Sequence, residues 1–179
     1  MSNLIGFSTG AIGNHDIVDG LTAIRVMGCP VVELSILRDH EFDRFLGLLD
    51  SLDLGENVQY CSVHCPSKFS TDRESEIIQG LGRVVQQGWP IVVHPDAICW
   101  DPAAWRALGA SLLIENMDLR KSTGTTADSL AWWFQLLPAA GLCFDIGHAF
   151  QVDPTGHEAR AILEQHGHRL RQVHMSHVD

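Results

Sequence analysis

The sequence predicts an α/β fold: a (β/α) barrel of the TIM type, shortened to seven parallel strands with six intervening helices and lacking the eighth β/α unit. Three observations lead there. Short apolar runs alternate strictly with amphipathic stretches. The runs recur regularly, and nearly every one ends in a polar residue. With Ile5, Val32, Val63, Val92, Ile114, Phe144 and Val173 as markers, successive spacings are 27, 31, 29, 22, 30 and 29 residues, a repeat near 28. Eight such units would need about 220 residues, within the range of that barrel, whereas the chain has 179. An open doubly wound sheet is the structural alternative, since it too is built from β/α repeats. Against it stand the absence of a Gly-rich phosphate loop after the first strand and the spread of polar strand ends over the whole repeat. Gly10 and Gly13 are only a weak echo of such a loop.

In chain order, the expected strands are Leu4 to Ser8, Val31 to Ile36, Tyr60 to Cys65, Ile91 to His94, Leu112 to Glu115, Leu142 to Asp145 and Gln172 to Met175. The expected helices are Ile17 to Met27, Glu41 to Leu52, Arg73 to Gln87, Pro102 to Leu108, Ala127 to Leu137 and Glu158 to His166. Gly28, Pro30, Gly88, Pro90 and Gly141 punctuate the helix-to-strand joints, as helix ends prefer. No linker or low-complexity segment interrupts residues 1–179, so a single domain, incomplete at its C-terminus, is expected.

Composition narrows the function. A hydrophobic content of 45% with 19% charged residues is globular. Twelve Lys plus Arg against 22 Asp plus Glu give a formal charge of -10, and such a chain lacks the basic surface that binding to phosphate backbones needs. Nucleic acid is therefore not an expected partner. No apolar run approaches the roughly 18 residues of a membrane span, and a cytoplasmic protein acting on a small molecule is expected. The five cysteines are an odd number with no Cys-x-x-Cys pair, and most lie in apolar runs, which reads as reduced core thiols.

The chemistry lies at the strand ends. Side chains alternate along a strand, so His64 shares a face with Ser62 and Tyr60, His94 with Val92, Glu115 with Leu113, Asp145 with Cys143, and His174 with Gln172. Placed inward, His64, His94, Glu115, Asp145 and His174 form a ring at the C-terminal end of the strands, where active sites of this fold sit. Each has a plainer reading alone: His64 or His94 as a hydrogen-bonded core histidine, Asp145 as the cap of a following helix. Glu115 needs compensation if buried, and Glu33 is a weaker candidate of the same kind. Imidazole and carboxylate without thiolate suit a divalent ion, zinc or manganese foremost. Glu115 is expected to be central, with His64 and His94 on one side and Asp145 and His174 on the other. His148, His177 and Asp179 would serve a further ion or the substrate.

The succession Val31-Val32-Glu33-Leu34, Val63-His64, Val93-His94-Pro95, Ile114-Glu115-Asn116, Asp145-Ile146-Gly147-His148 and Val173-His174-Met175-Ser176 resembles the xylose isomerase-like TIM barrels. These include sugar-phosphate isomerases and epimerases and the endonuclease IV type of DNA repair enzyme. The resemblance implies that Glu115, Asp145 and His174 bind a metal common to both branches, and that His64 and His94 match a second zinc position of the nuclease branch. It also matches His148 to that branch's third zinc, with His177 and Asp179 aligned less securely. Glu115 would be one of two acid/base residues, the other being a glutamate of the eighth strand.

Three functions follow as expectations. One is a divalent-metal-dependent isomerase or epimerase of a small sugar or hydroxy-carbonyl compound, holding one to three ions and working through a metal-stabilised enediolate. Another is an endonuclease IV-like multinuclear zinc phosphodiesterase. The third is a non-catalytic metal-binding barrel remnant. An unclosed sheet exposes its edges, so a homodimer over the gap, or a strand rearranged to fill it, is expected.

Overall fold

The computed structural model describes residues 4–13, 16–98 and 101–176. Seven parallel strands follow one another in chain order through the sheet: β1 (Phe7–Ser8), β2 (Val31–Ser35), β3 (Tyr60–His64), β4 (Ile91–Val93), β5 (Leu112–Glu115), β6 (Gly141–Asp145) and β7 (Leu170–His174). The α-helices are α1 (Thr9–Ile12), α2 (Ile17–Val26), α3 (Asp39–Leu48), α4 (Glu74–Gln86), α5 (Ala127–Leu136), α6 (Ile146–Val152) and α7 (His157–His166). This is the α/β, shortened TIM-barrel-like fold that the alternation predicts. The chain forms two compact units, Met1–Ile91 and Val92–Asp179.

In the first unit, β2 pairs with β3 from Val31 opposite Tyr60 to Ser35 opposite His64. Val32 and Leu34 are fully buried, and Glu33 and Ser35 on the other face of β2 are buried too, as expected of a parallel strand covered on both sides. Helices cover it with apolar stripes at helical spacing: Ile17, Leu21 and Ile24 on α2, Phe42 and Phe45 on α3, and Ile77, Leu81 and Val84 on α4. Asp16 caps α2 by accepting from the amides of Val18 and Asp19 at 2.8 and 3.1 Å.

Helix α2 touches α1 backbone to backbone at Gly20. A Cβ built there would lie 2.8 Å from both the carbonyl oxygen and the Cβ of Thr9. Thr9 cannot retreat freely, because its hydroxyl accepts the Ser35 amide at 2.9 Å. Gly20→Ala is therefore expected to destabilise the fold by about 1–3 kcal/mol through overpacking, read as a lower denaturant midpoint with unchanged m-value. An unaltered midpoint would mean that α1 can shift.

In the second unit β5 pairs with β6, and β6 with β7, which it matches at Asp145 opposite His174. Val92, Leu113 and Cys143 form a buried apolar cluster. Helices α5 and α7 are buried at Leu130, Trp133 and Phe134 and at Ala159 and Ile162. Strand β7 differs from β5 and β6, which are buried throughout: Leu170, Gln172 and His174 are half-buried, while Val173 is 46% exposed.

Local differences from expectation have local causes. Strand β1 is Phe7–Ser8 and not Leu4 to Ser8. Phe7 lies opposite Val32, so continuing the register would set Ile5 against Pro30, which has no N–H to donate, and Ile5 is 77% exposed. The segment expected as a helix over Pro102 to Leu108 is instead a run of 3-10 turns, Ala104–Ser111, broken where Gly109 takes φ 57°. Helices α1 and α6 are four and seven residues long, too short for hydrophobic periodicity to reveal.

Candidate metal centre and active site

Three strands deliver the site in layers. Val92, Leu113 and Cys143 form the buried cluster. Two residues further along each chain, and so on the same face of the sheet, stand His94, Glu115 and Asp145. The apolar layer is the floor of the polar one.

Glu115 is the centre. It is 1% exposed, and each carboxylate oxygen meets a different imidazole: His174 Nδ1 lies 2.9 Å from Oε1, and His94 Nε2 lies 3.1 Å from Oε2. An ionised carboxylate only accepts, so both contacts have nitrogen as the donor. The Gln172 side-chain amide lies 2.9 Å from His174 Nε2. With the Nδ1 proton on Glu115, that Nε2 accepts from Gln172. The chain of bonds Gln172 to His174 to Glu115 thereby orients the carboxylate.

Asp145 is held by its surroundings on all sides. Its Oδ1 accepts the His148 amide at 2.8 Å, making it the N-cap of α6, and the Ser176 hydroxyl lies 3.0 Å from each of its carboxylate oxygens. The capping and site readings of Asp145 hold together. Helix α6 turns the His148 ring back over the strand ends. Its Nδ1 is 3.7 Å from Glu115 Oε1 and 3.9 Å from Asp145 Oδ2, and its ring stands edge-on to that of His94 with centroids 6.5 Å apart.

Tested as a cation site, the residues fit. Glu115, Asp145 and His148 each offer a donor atom within 4.8 Å of the others. The 2.9 Å between His174 Nδ1 and Glu115 Oε1 is a separation that two ligands about 2.0–2.2 Å from one zinc ion can have. Nitrogen and carboxylate donors suit zinc or manganese.

Glu33 and His64 lie in the first unit. Both are buried, with the Ser62 hydroxyl 3.5 Å from Glu33 Oε2 and His64 Nδ1 2.9 Å from the Cys65 carbonyl. Cys61 and Cys65 are reduced thiols pushed up by burial, so neither offers a thiolate near neutral pH. Cys29 and Cys143 are reduced thiols as well. His177, Asp179 and Cys99 lie outside the described residues.

Sequence reasoning gave no role to three residues at the site, although Asn116 and Ser176 stand within the motifs quoted above. Asn116 is fully buried and grips the Asp145 backbone on both sides, accepting its amide at 2.7 Å and donating to its carbonyl at 2.9 Å. Asp118 is buried beside His148 Nε2, 3.9 Å away, and is bracketed by Arg120 at 2.9 Å on each oxygen. That guanidinium holds the Asp118 carboxyl down at about 2. Ser176, on Asp145, is the third. The signal available was the polar cluster after Ile114, where Glu115, Asn116 and Asp118 follow an apolar strand within four residues.

No family model matches the chain, and no curated protein matches it in sequence. Solved structures do match. A D-tagatose 3-epimerase-like protein superposes with a TM-score of 0.59 at 16% identity over 97% of this chain and 76% of the other. Endonuclease IV from Thermus thermophilus gives 0.56 at 18% over 94% and 73%. A xylose isomerase domain protein from Planctomyces limnophilus gives 0.53 at 14% over 86% and 65%. The chain shares with these structures a TIM-barrel-like α/β fold. At such identities the likeness is one of fold, and function has to come from the site.

Proposed function

We propose that the protein is a divalent-metal-dependent isomerase or epimerase acting on a small sugar or hydroxy-carbonyl compound. The observation that carries this reading is Glu115: a carboxylate 1% exposed, with an imidazole on each oxygen and a second carboxylate, Asp145, grouped with it and His148 within metal-ligand reach. Glu115, Asp145 and His174 would hold the ion, with His94 and His148 beside them. A divalent ion supplies electrophilic stabilisation of the negative charge that develops on a carbonyl oxygen.

The chain's own residues do the rest. Glu115 takes the proton from the carbon next to the carbonyl onto a carboxylate oxygen. Delivery of a proton to the same carbon from the opposite face would invert that centre; return of the Glu115 proton to the former carbonyl carbon, with the neighbouring hydroxyl passing its proton to the former carbonyl oxygen, would move the carbonyl along the chain. Epimerisation thus needs a second acid on the other face, whereas Glu115 alone can carry the carbon-bound proton of an isomerisation. His94 keeps the carboxylate aimed while it changes protonation, and the apolar floor of Val92, Leu113 and Cys143 bars water from below, which strengthens each polar contact.

The zinc- or manganese-loaded chain, incubated in D2O with a panel of ketoses and α-hydroxy-carbonyl compounds, is expected to incorporate solvent deuterium at the carbon next to the carbonyl. No incorporation across the panel would remove the reading. The imidazole-rich surroundings of Glu115 favour a second reading, a multinuclear zinc phosphodiesterase of the endonuclease IV type. Against it stand the formal charge of -10 and the pairing of two cations after β5 with carboxylates, Arg120 with Asp118 and Lys121 with Asp96 at 2.9 and 2.7 Å. Cleavage of abasic DNA by a preparation holding two or more zinc ions per chain would establish it.

A further inference from the structure

We propose that Asn116 is a positioning residue that sets both the presentation of Asp145 and the tautomer of His148, so that the His148 imidazole offers Nε2, and not Nδ1, to whatever the site binds. The two nitrogens of the His148 ring are not equally available. His148 Nδ1 lies 3.0 Å from the main-chain carbonyl oxygen of Asn116, closer than to either carboxylate. A carbonyl oxygen can only accept, so Nδ1 carries the proton, and in the neutral ring the lone pair sits on Nε2.

The same residue fixes the platform that this bond depends on. The Asn116 side-chain amide spans the peptide units on either side of Asp145, at 2.7 Å from its amide and 2.9 Å from its carbonyl oxygen. Those two bonds extend the contact between β5 and β6 past the ladder, whose described register ends with Glu115 opposite Cys143. They thereby fix the first residue of the α6 cap, and His148 is the residue whose amide Asp145 caps. One fully buried asparagine therefore ties together the orientation of a carboxylate, the start of a helix and the protonation pattern of a ring. Each Asn116 side-chain group has a partner it could not exchange: aspartate in its place keeps the acceptor for the Asp145 amide but has no donor for the Asp145 carbonyl.

The test is nitrogen-15 NMR of ring-labelled, metal-free protein at a pH where the imidazoles are neutral, with the His148 signals assigned by their loss in His148→Gln. Wild type is expected to show a protonated Nδ1 and an unprotonated Nε2 at His148, with a coupling across the hydrogen bond between Nδ1 and the Asn116 carbonyl carbon. In Asn116→Asp the tautomer preference is expected to weaken toward a mixture and zinc affinity to fall about 10–100-fold, the usual consequence of losing a residue that orients a ligand. Thr126→Ala, which removes the distant cap of α5, should lower thermal stability while changing neither readout.

A protonated Nε2 in wild type would overturn the inference. So would an Asn116→Asp protein that melts lower yet keeps the wild-type tautomer and zinc affinity, because Asn116 would then be structural only. If no variant at 116 folds, the wild-type coupling decides: its absence would overturn the inference and its presence support it. The affinity arm rests on the metal reading of the site and the tautomer arm does not. A wild-type chain that binds no zinc would sink the proposed function and leave the tautomer measurement to judge Asn116.

Discussion

Glu115→Gln is expected to lose zinc affinity at least 100-fold, equivalent to about 2.7 kcal/mol of binding free energy, while the metal-free protein stays within about 1 kcal/mol of wild-type stability. The two halves of that expectation have the same cause. Glu115 is nearly inaccessible to water and holds its charge between two imidazoles. Burying a carboxylate is costly, and partners recover only part of the cost. Glutamine keeps the shape and one carbonyl oxygen that accepts from an imidazole. It replaces the other oxygen with an amide that can donate to an imidazole nitrogen but cannot ligate a cation. The fold therefore loses little, and the site loses its central ligand and its proton carrier. Proton transfer to solvent-exchangeable positions should fall about 10²–10⁴-fold, the usual contribution of a positioned acid or base. Zinc competition against a chelator, together with thermal melts in the absence of metal, reads both halves. An affinity within threefold of wild type would show that Glu115 is a structural ion-pair partner and not a ligand.

The fold was legible because its signal is periodic. The repeat near 28 residues and the punctuation by glycine and proline placed all seven strands, and the alternation rule correctly set Val92, Leu113 and Cys143 beneath His94, Glu115 and Asp145. The face-sharing of Glu115 with the strand neighbours that bring His94 and His174 to its two oxygens was within reach of the same rule. What escaped was everything set by turns. Helix α6 begins directly after the last residue of β6, and that residue, Asp145, is its N-cap, so no loop composition announces it. The direction of the His148 ring depends on that helix, and a strand-based reading left it pointing anywhere. Asn116 and Asp118 act through backbone atoms and a neighbouring guanidinium; their types allow many roles, and only their partners in space choose among them. The expected helix over Pro102 to Leu108 failed for a related reason: apolar spacing at Trp105 and Leu108 is shared by α and 3-10 geometry, and a positive φ at Gly109 decides between them.

Trp105→Ala should produce the opposite profile to Glu115→Gln, a large loss of stability with the site chemistry preserved. Trp105 is completely buried and heads the largest fully buried side chains among the described residues. It sits in the 3-10 run immediately before β5, where Leu108 is buried beside it in sequence, and the next residue, Arg106, ties the run to the end of α5 by donating to the Leu136 carbonyl at 2.7 Å. Removing the indole leaves a cavity that such a tethered segment cannot collapse to fill, and the expected cost is about 3–5 kcal/mol. For a chain of this size that lowers the melting temperature by about 6–20 °C. Glu115, at the far end of β5, should nevertheless keep its place, because β5 is an interior strand with neighbours on both sides. At low temperature the folded variant should bind zinc within a few-fold of wild type. A loss of affinity as deep as that of Glu115→Gln would mean that the 3-10 run positions the carboxylate directly, and that the scaffold and the site of this chain are one cooperative unit.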